Sequence, residues 1–426
     1  MPKVRLRMVG VLLLSEITQR QNGKRPFDNM LYTGLKIVLD ELEEEYEVCG
    51  GKDINKYGYV LVSLTSVMDV ENLMYTLSSY AKGKAIIVVG GAGCINIRSY
   101  KDLIDIAVFG RAEGQINGII NGIEYDNVWR QSTDPDVEGE YIIRQATKLT
   151  EQESSIGCPR KCAFCQYTWT RKSMGGRYHH GGDISSEEDD FEKIRFTKPG
   201  HYTTAFDGLS EATRKRVNKH WCKEEDIKKK FKEIYTNNRI DKAVCIKLFQ
   251  IIGYPWETKQ TLFEDIRENT KTWGRVGRGN KQNKRIVVMY LFTPFSPEPL
   301  TPMQYEKANI VDNWREYLGG GSCYKIYDDN NINVFTLPQI NSGFTLAKRV
   351  MVNRATNGNA EIIRKIILNK KLKALKAATA VSSILPHIGN DIFNEIGDEY
   401  SGFGYLSTYI KIPEFKGARQ CQKEQA

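Results

Sequence analysis

Cys158-Pro159-Arg160-Lys161-Cys162-Ala163-Phe164-Cys165 places three thiols within eight residues, spaced CxxxCxxC. Three such ligands suit an iron–sulfur cluster in which cysteine holds three of four irons, since full cysteine ligation takes four thiolates. No other cysteine lies near enough in sequence to be an obvious fourth. The remaining iron would keep an open coordination position, which marks catalytic rather than structural metal sites. The other reading of the spacing is a zinc site completed by His179, His180 or Cys222. Zinc sites usually show two paired knuckles of the C-x2-4-C type, and here the second is missing unless Gly175–Gly182 supplies histidines.

The 426 residues suggest two to three domains with large buried cores. With 41% hydrophobic and 27% charged residues the chain reads as globular rather than disordered. The net charge of +9 is uneven: residues 201–300 hold 20 Lys and Arg against 12 Asp and Glu, and residues 351–426 hold 11 against 7. Such an excess suits either an anionic partner or a solvated lysine-rich surface. Nine cysteines, six of them scattered, are not a small disulfide scaffold, and a thiolate-ligated cluster suits a reducing compartment such as the cytoplasm. The apolar run Met8–Leu14 ends in Ser15-Glu16 with no small-residue cleavage site, so it reads as a buried first strand rather than a signal peptide. Nothing approaches the ~20 apolar residues that a membrane span requires.

Residues 1–125 alternate strand and helix. Val4–Leu14, Tyr59–Leu64, Lys84–Gly91 and Ala107–Gly110 read as strands, and Leu31–Glu47, Val70–Tyr80 and Lys101–Ile106 as helices. Continuous apolar strands between helices predict a doubly wound parallel sheet. Ligands of such sheets bind at the carboxyl ends of strands, here at Ser63, Thr65, Ser66, Gly90 and Gly91. The acidic, turn-rich residues 126–150 read as a linker. Ser154–Gly157, Tyr202–Asp207, Ala243–Ile252 and Val287–Phe292 are further strands, and Gly319-Gly-Gly-Ser322 reads as a hinge. Ala360–Leu385 has helical apolar spacing, with Arg364, Lys365, Lys370, Lys371, Lys373 and Lys376 on its other face.

With Phe164 as the aromatic before the last cysteine, the motif resembles that of the radical S-adenosylmethionine (SAM) superfamily. The resemblance covers roughly residues 150–318. It implies a partial (β/α) barrel over residues 151–318 and a 4Fe-4S cluster on Cys158, Cys162 and Cys165. It further implies SAM chelated at the open iron, and reductive cleavage to a 5′-deoxyadenosyl radical that abstracts hydrogen from substrate. Asp207-Gly-Leu-Ser210 with the basic helix after it is similar to the strand-four segment of that family, where polar groups reach SAM; Asp207 and Ser210 are the positions carried over. Gly253-Tyr-Pro-Trp-Glu257-Thr258 resembles the segment after strand five, whose strand backbone supports the adenine, with Trp256 replacing a glycine. Phe164, Asp207, Ser210, Gly253 and Glu257 are thus the implied cofactor-binding residues. Gly181-Gly182-Asp183 approximates the family's glycine-glycine-glutamate stretch.

The stretches Val60–Ser66, Ile86–Gly91 and Ile104–Gln115 resemble the cobalamin-binding-type domain that precedes the core in one branch of that superfamily. Its cobalt-ligating Asp-x-His-x-x-Gly is absent, and no histidine occurs before His179. Cobalamin would therefore be held without a histidine ligand, or the domain keeps the fold without cobalamin, or its strand ends enclose substrate. Residues 319–426 form a mainly helical, basic C-terminal region. The positive segments 201–300 and 351–426 favour a nucleobase or nucleotide, free or in DNA or RNA, as the substrate, with a free small molecule as the alternative. A non-catalytic zinc module binding nucleic acid is the reading of another class. A radical SAM enzyme also implies a reductant of flavodoxin or ferredoxin type.

Overall fold

Tyr59-Val-Leu-Val-Ser63 is a strand buried at four of its five positions. Val60 and Val62 enter one core, while Tyr59 and Leu61 enter another on the opposite face. A strand covered on both faces is the parallel-sheet pattern. The computed structural model describes residues 9–14, 33–81, 83, 85–151, 153, 155–175, 191, 194–240, 242–276, 286–311, 313–318, 324–328, 332–338, 343–369, 372, 377–388, 392–394, 396, 405–407, 411–413 and 415. Its first part runs β1 (Val9–Leu12), α1 (Thr33–Asp40), β2 (Tyr46–Cys49), β3 (Tyr59–Ser63), α2 (Asp69–Tyr80), β4 (Ile86–Gly90), β5 (Ile106–Val108), α3 (Ile116–Ile120) and β6 (Val128–Arg130). The sheet order is β2-β1-β3-β4-β5-β6, parallel except for the antiparallel β5–β6 pair. Helix α2 covers one face through Val70, Leu73, Met74 and Leu77; α1 and α3 cover the other. This is the doubly wound α/β sheet that the apolar pattern predicts.

Two local readings change. The helix expected to reach Glu47 ends at Asp40, and Tyr46–Cys49 is an edge strand with three exposed positions. Glu41, Glu43, Glu44 and Glu45 would crowd a helix C-terminus, where negative charge opposes the macrodipole. Within the acidic stretch 126–150, β6 closes the sheet and Trp129 is fully buried, its Nε1 donating to the Asp134 carbonyl at 2.7 Å.

The second part contains β7 (Tyr141–Ile142), β8 (Ser155–Ile156), α4 (Gln166–Thr170), β9 (Met174–Gly175), β10 (Gly200–Ala205), α5 (Glu211–Arg216), α6 (Glu224–Thr236), β11 (Val244–Ile252), α7 (Lys259–Val276), β12 (Ile286–Pro294), α8 (Trp314–Tyr317), β13 (Tyr324–Asp328) and β14 (Ile332–Pro338). Its five-stranded sheet has the order β10-β11-β12-β14-β13, with only β13 antiparallel. Along β11 every second residue is buried, and Val244, Ile246, Leu248 and Ile252 pack with Ile227 and Phe231 of α6 and Ile266 and Trp273 of α7. The partial barrel implied by the resemblance is, among the described residues, an open sheet. Strand β8, expected to lead the barrel, pairs only with β9. A parallel crossover needs a dozen or more residues, and the chain between Cys165 and Tyr202 is too short for several strand–helix units. Strand β12, read as the last, is followed by β14 on its free edge. The glycine-rich 319–322 lies outside the described residues.

The C-terminal part folds as α9 (Gly343–Asn353), α10 (Ala360–Leu368), α11 (Ala377–Ile388) and β15 (Leu406–Ser407), the last pairing with β7. The single helix expected over 360–385 is two, broken after an extended Asn369. Lys370, Lys371, Lys373 and Lys376 lie outside the described residues. Helices α9 and α10 dock on the first domain: Val350, Met351, Ile363 and Ile367 share its core, Lys348 pairs with Glu71 of α2, and the Tyr75 hydroxyl donates to the Ile367 carbonyl at 3.1 Å. Arg354, fully buried, donates to the carbonyls of Ile392, Asn394, Gln304 and Glu306 at 2.7–3.0 Å. Replacing it leaves four carbonyls without this donor, each costing about 1–3 kcal/mol if buried and unpaired. Arg354→Met should therefore lower unfolding free energy by about 3 kcal/mol or more. A chemical-denaturation midpoint equal to that of the parent chain would refute the role of this arginine as a clasp.

Candidate active site

The cysteine loop follows β8 and feeds α4. Gly157 has a φ of 66°, and a Cβ there would lie 2.7 Å from the Lys172 carbonyl oxygen. Lys161 adopts a left-handed φ of 57°, which costs a non-glycine residue energy. Local bonds hold it there: Lys161 N donates to Thr168 Oγ1 at 3.0 Å, and Asn218 Nδ2 donates to the Lys161 carbonyl at 2.7 Å. Thr168 Oγ1 donates to the Cys158 carbonyl at 2.7 Å, and Trp169 Nε1 donates to that of Cys162 at 2.8 Å. Ala163 N reaches the Val217 carbonyl at 2.9 Å. Backbone carbonyls of the loop are thus tied back by protein donors. Cys158 and Cys162 are buried and Cys165 half-buried, all as free thiols.

Arg160, Lys161 and Arg171 lie on the aromatic rings of Trp221, Trp169 and Tyr167, at 4.6, 5.2 and 4.5 Å from the ring centres. The cation that acts on Cys162 is Lys219. Burial pushes the Cys162 thiol up most, the Lys219 ammonium opposes this, and Cys165, Asp207 and Cys158 push it further up. Burial likewise pushes Cys165 up to about 11. The three thiols therefore share one electrostatic neighbourhood. Lys219 Nζ donates to Asp207 Oδ2 and to the Ala205 carbonyl, both at 2.6 Å. Burial works against the lysine's charge, but Asp207, then Cys162, hold its pKa above the ordinary value.

Asp207 ends β10 with a φ of 54°, and its carbonyl accepts the Tyr254 hydroxyl at 2.8 Å. Phe164 packs near Tyr254, with ring centres 6.5 Å apart. The structure thus gathers Cys158, Cys162, Cys165, Phe164 and Asp207 at the carboxyl ends of β10 and β11, where open α/β sheets bind ligands. Ser210 Oγ accepts from Thr213 N at 3.2 Å and caps α5. Gly253 has a φ of 75°, and its N and that of Tyr254 donate to Glu257 Oε2 at 2.8 and 3.2 Å. Glu257 thereby braces the turn from behind. Trp256, replacing the family's glycine, stacks on Tyr254 at 5.0 Å with the Arg216 guanidinium over it at 4.0 Å, so its bulk is accommodated outside the turn. His179, His180 and Gly181–Asp183 lie outside the described residues. The sequence reading assigned no role to Lys219, Tyr254 or Asn309, whose Nδ2 donates to the carbonyls of Gly253 and Tyr254 at 3.1 and 3.0 Å. The one signal for Lys219 was its place after the Gly-x-Ser turn.

A cavity of about 300 Å³ opens beside the cysteines. Phe164, Cys165, Ile251, Pro294 and Phe295 line one side; Thr65, Ser66 and Gly93 from the ends of β3 and β4, with Arg349 and Asn353 of α9, line the other. Three thiols in one loop are the donor type that a four-iron cluster takes. Such a cluster asks for thiols around a cube, one per iron, whereas zinc asks for ligands around a point. Among the described residues no three His, Cys, Asp or Glu side chains are close enough to share one metal ion. Cys222, the cysteine considered for zinc, is buried in the core with Ile227 and Phe231. For cobalamin the described residues supply no histidine ligand before His201.

No family model matches the chain, and no curated protein matches it. Among solved structures, one similar in part is titled as the apo, selenomethionine-labelled cobalamin-dependent S-adenosylmethionine radical enzyme OxsB. It has 12% identity and a TM-score of 0.26, over 99% of this chain and 62% of that one. The chain thus spans less than two thirds of that structure's length, and a likeness at this level carries no argument about chemistry.

Burial raises the Glu257 carboxyl from 4.5 to about 7, against the two backbone N–H donors that favour its charged form. Between these values the folded chain binds the proton that the unfolded chain has lost, so stability falls as pH rises. This contribution should be full below about pH 4.5 and lost as pH rises through about 7. Glu257→Gln should flatten the denaturation midpoint over that window. Parallel profiles for variant and parent would show that Glu257 does not titrate there.

Proposed function

We propose that the chain is a radical SAM enzyme, with Cys158, Cys162 and Cys165 holding three irons of a 4Fe-4S cluster. The observation that supports this reading is the CxxxCxxC loop, whose carbonyls are tied back by Thr168 and Trp169 and whose Cys165 lines a cavity. When bound, the cluster and SAM supply the one-electron chemistry that yields a 5′-deoxyadenosyl radical. The protein's part is to bind, orient and exclude water. Lys219, charged and paired with Asp207, offsets thiolate charge beside Cys162. Phe164, Tyr254 and Phe295 form an apolar cluster that keeps the cysteine loop dry. Gly253 and Asn309 fix the turn at the end of β11. Electrons come from a reductant of flavodoxin or ferredoxin type. The seven described cysteines are all free, which suits a reducing compartment, the cytoplasm. Among the described residues no helix is long and apolar enough to cross a membrane.

For the substrate we propose a nucleobase or nucleotide, on its own or in a strand of DNA or RNA. The uneven positive charge supports it. The free small molecule is kept as a second reading because of α6. There Lys229 pairs with Glu225 and Lys230 with Glu233, so part of the positive charge is a solvated helix face.

Anaerobic reconstitution with iron and sulfide, then SAM and dithionite, should yield 5′-deoxyadenosine. Cys158→Ala, Cys162→Ala and Cys165→Ala should each lose iron and product, while Cys222→Ala keeps both. Iron lost in Cys222→Ala but retained in Cys158→Ala would sink the assignment. SAM should bind only the iron-loaded chain. Gly253→Leu should weaken that binding without removing iron, because a Cβ at Gly253 would already sit 2.7 Å from the Trp314 ring.

A further inference from the structure

Beyond the cysteine loop and the end of β11, the wall of the cavity is built by three separate stretches: the ends of β3 and β4, the exit from β12, and α9. It is braced in advance. Thr65 N, Thr65 Oγ1 and Ser66 N all donate to Asp69 Oδ2, at 2.9, 2.7 and 3.1 Å. A Cβ on Gly93 would lie 2.5 Å from the Ser66 backbone, so the two strand-end loops interlock. Asn96 Nδ2 donates to the carbonyls of Asn353 and Ala355 at 3.0 and 2.9 Å, and Asn353 Nδ2 donates to that of Pro297 at 3.1 Å. A wall held this way binds without paying to order itself.

Its charge is balanced. Glu298 and Arg349 are the only acidic or basic side chains lining the cavity among the described residues, and they pair with each other. No lining cation is left over for a phosphate. The wall nevertheless keeps unused polar capacity: Ser296 Oγ and Arg349 Nε are buried with no hydrogen-bond partner among the described residues. Buried polar atoms normally have a partner, so a ligand group with a hydrogen-bonding edge suits this wall better than a purely apolar one. A volume of about 300 Å³ is at the small end for a ligand pocket and admits no duplex. A base from a strand would have to be extruded into it.

We propose that this wall is the substrate subsite, and that it takes an uncharged ring with a hydrogen-bonding edge, a nucleobase, with any phosphate left outside. The first domain then serves as substrate wall rather than as a corrin site. This rests on the radical SAM reading and names its substrate class.

The test uses the full iron-loaded chain with SAM and dithionite. Adenosine, guanosine, cytidine, uridine and thymidine, their 5′-monophosphates, and short single-stranded DNA and RNA are compared as stimulators of 5′-deoxyadenosine formation. At least one nucleoside or oligonucleotide should stimulate, and no monophosphate should act at lower concentration than its nucleoside. Ser296→Ala should raise the half-saturating concentration about five-fold, the worth of one hydrogen bond, while iron content and SAM binding stay unchanged. Glu298→Gln leaves Arg349 unpaired and should shift preference toward the monophosphate. Iron and SAM binding serve as its control for folding. A monophosphate preferred by the parent chain would overturn the proposal, as would SAM binding lost in Ser296→Ala. Tight stoichiometric uptake of hydroxocobalamin would overturn it too. Where 5′-deoxyadenosine forms but no nucleoside or oligonucleotide affects it, this inference alone fails. Where none forms under any condition, the radical SAM reading fails and takes this one with it.

Discussion

A buried ammonium beside the buried Cys162 thiol is the constraint on which the site depends. Lys219 has 8% of its side chain exposed and is tied to Asp207 and the Ala205 carbonyl. Removing a charge from water is tolerated only when it is paired and hydrogen-bonded. Asp207 meets that need because β10 ends in a left-handed turn that an aspartate tolerates better than most residues. The pair joins the end of β10 to the Val217–Lys219 segment. That segment in turn holds the cysteine loop through Ala163 and Asn218. Burial pushes the Cys162 and Cys165 thiols up, and the Lys219 ammonium pulls Cys162 the other way.

Two buried guanidiniums extend that logic. Arg214, fully buried, donates to the carbonyls of Gly208, Leu209 and Cys222 and pairs with Glu224 at 3.0 Å. It thereby fixes the Asp207–Ser210 turn to the start of α6. Arg354 does the same between α9 and the exit of β12. Arginine suits both places because its planar fork serves several carbonyls at once. Neither residue touches the cavity, yet each sets the position of a stretch that does.

The parts legible in the sequence were those whose signal is local. Three close cysteines need no tertiary context to suggest a metal. The apolar runs of β3, β4, β11 and β12 can hardly be anything but buried strands. Gly253 at positive φ and Ser210 at a helix cap follow from turn chemistry. Less legible were pairings decided elsewhere in the chain. Residues 324–338 read as part of a mainly helical C-terminal region but form β13 and β14, because sheet membership is set by the free edge of β12 rather than by their own residues. The docking of α10 on α2 depends on Ile363 and Ile367 meeting a face some 290 residues earlier. Lys219 looked like one basic residue among many, since only burial distinguishes it. Ser210 caps α5 through Thr213 N, the role that its place before a basic helix also suggests.

The two sheets direct the carboxyl ends of their strands to one cavity, and this arrangement divides the labour. The second sheet brings Cys165, an aromatic lining and the Ile251 end of β11. The first sheet brings interlocked loops, fixed by Asp69 and by the clamp of Asn96 on α9. Neither sheet lines the cavity alone. The C-terminal helices therefore matter to the site without carrying its chemistry: α9 supplies Arg349 to pair Glu298 across the seam. An ion pair at that seam removes net charge from the cavity while joining the two halves of its rim. Charge balance and closure are then properties of the same contact, so a change to either residue alters selectivity and the fit between the sheets together.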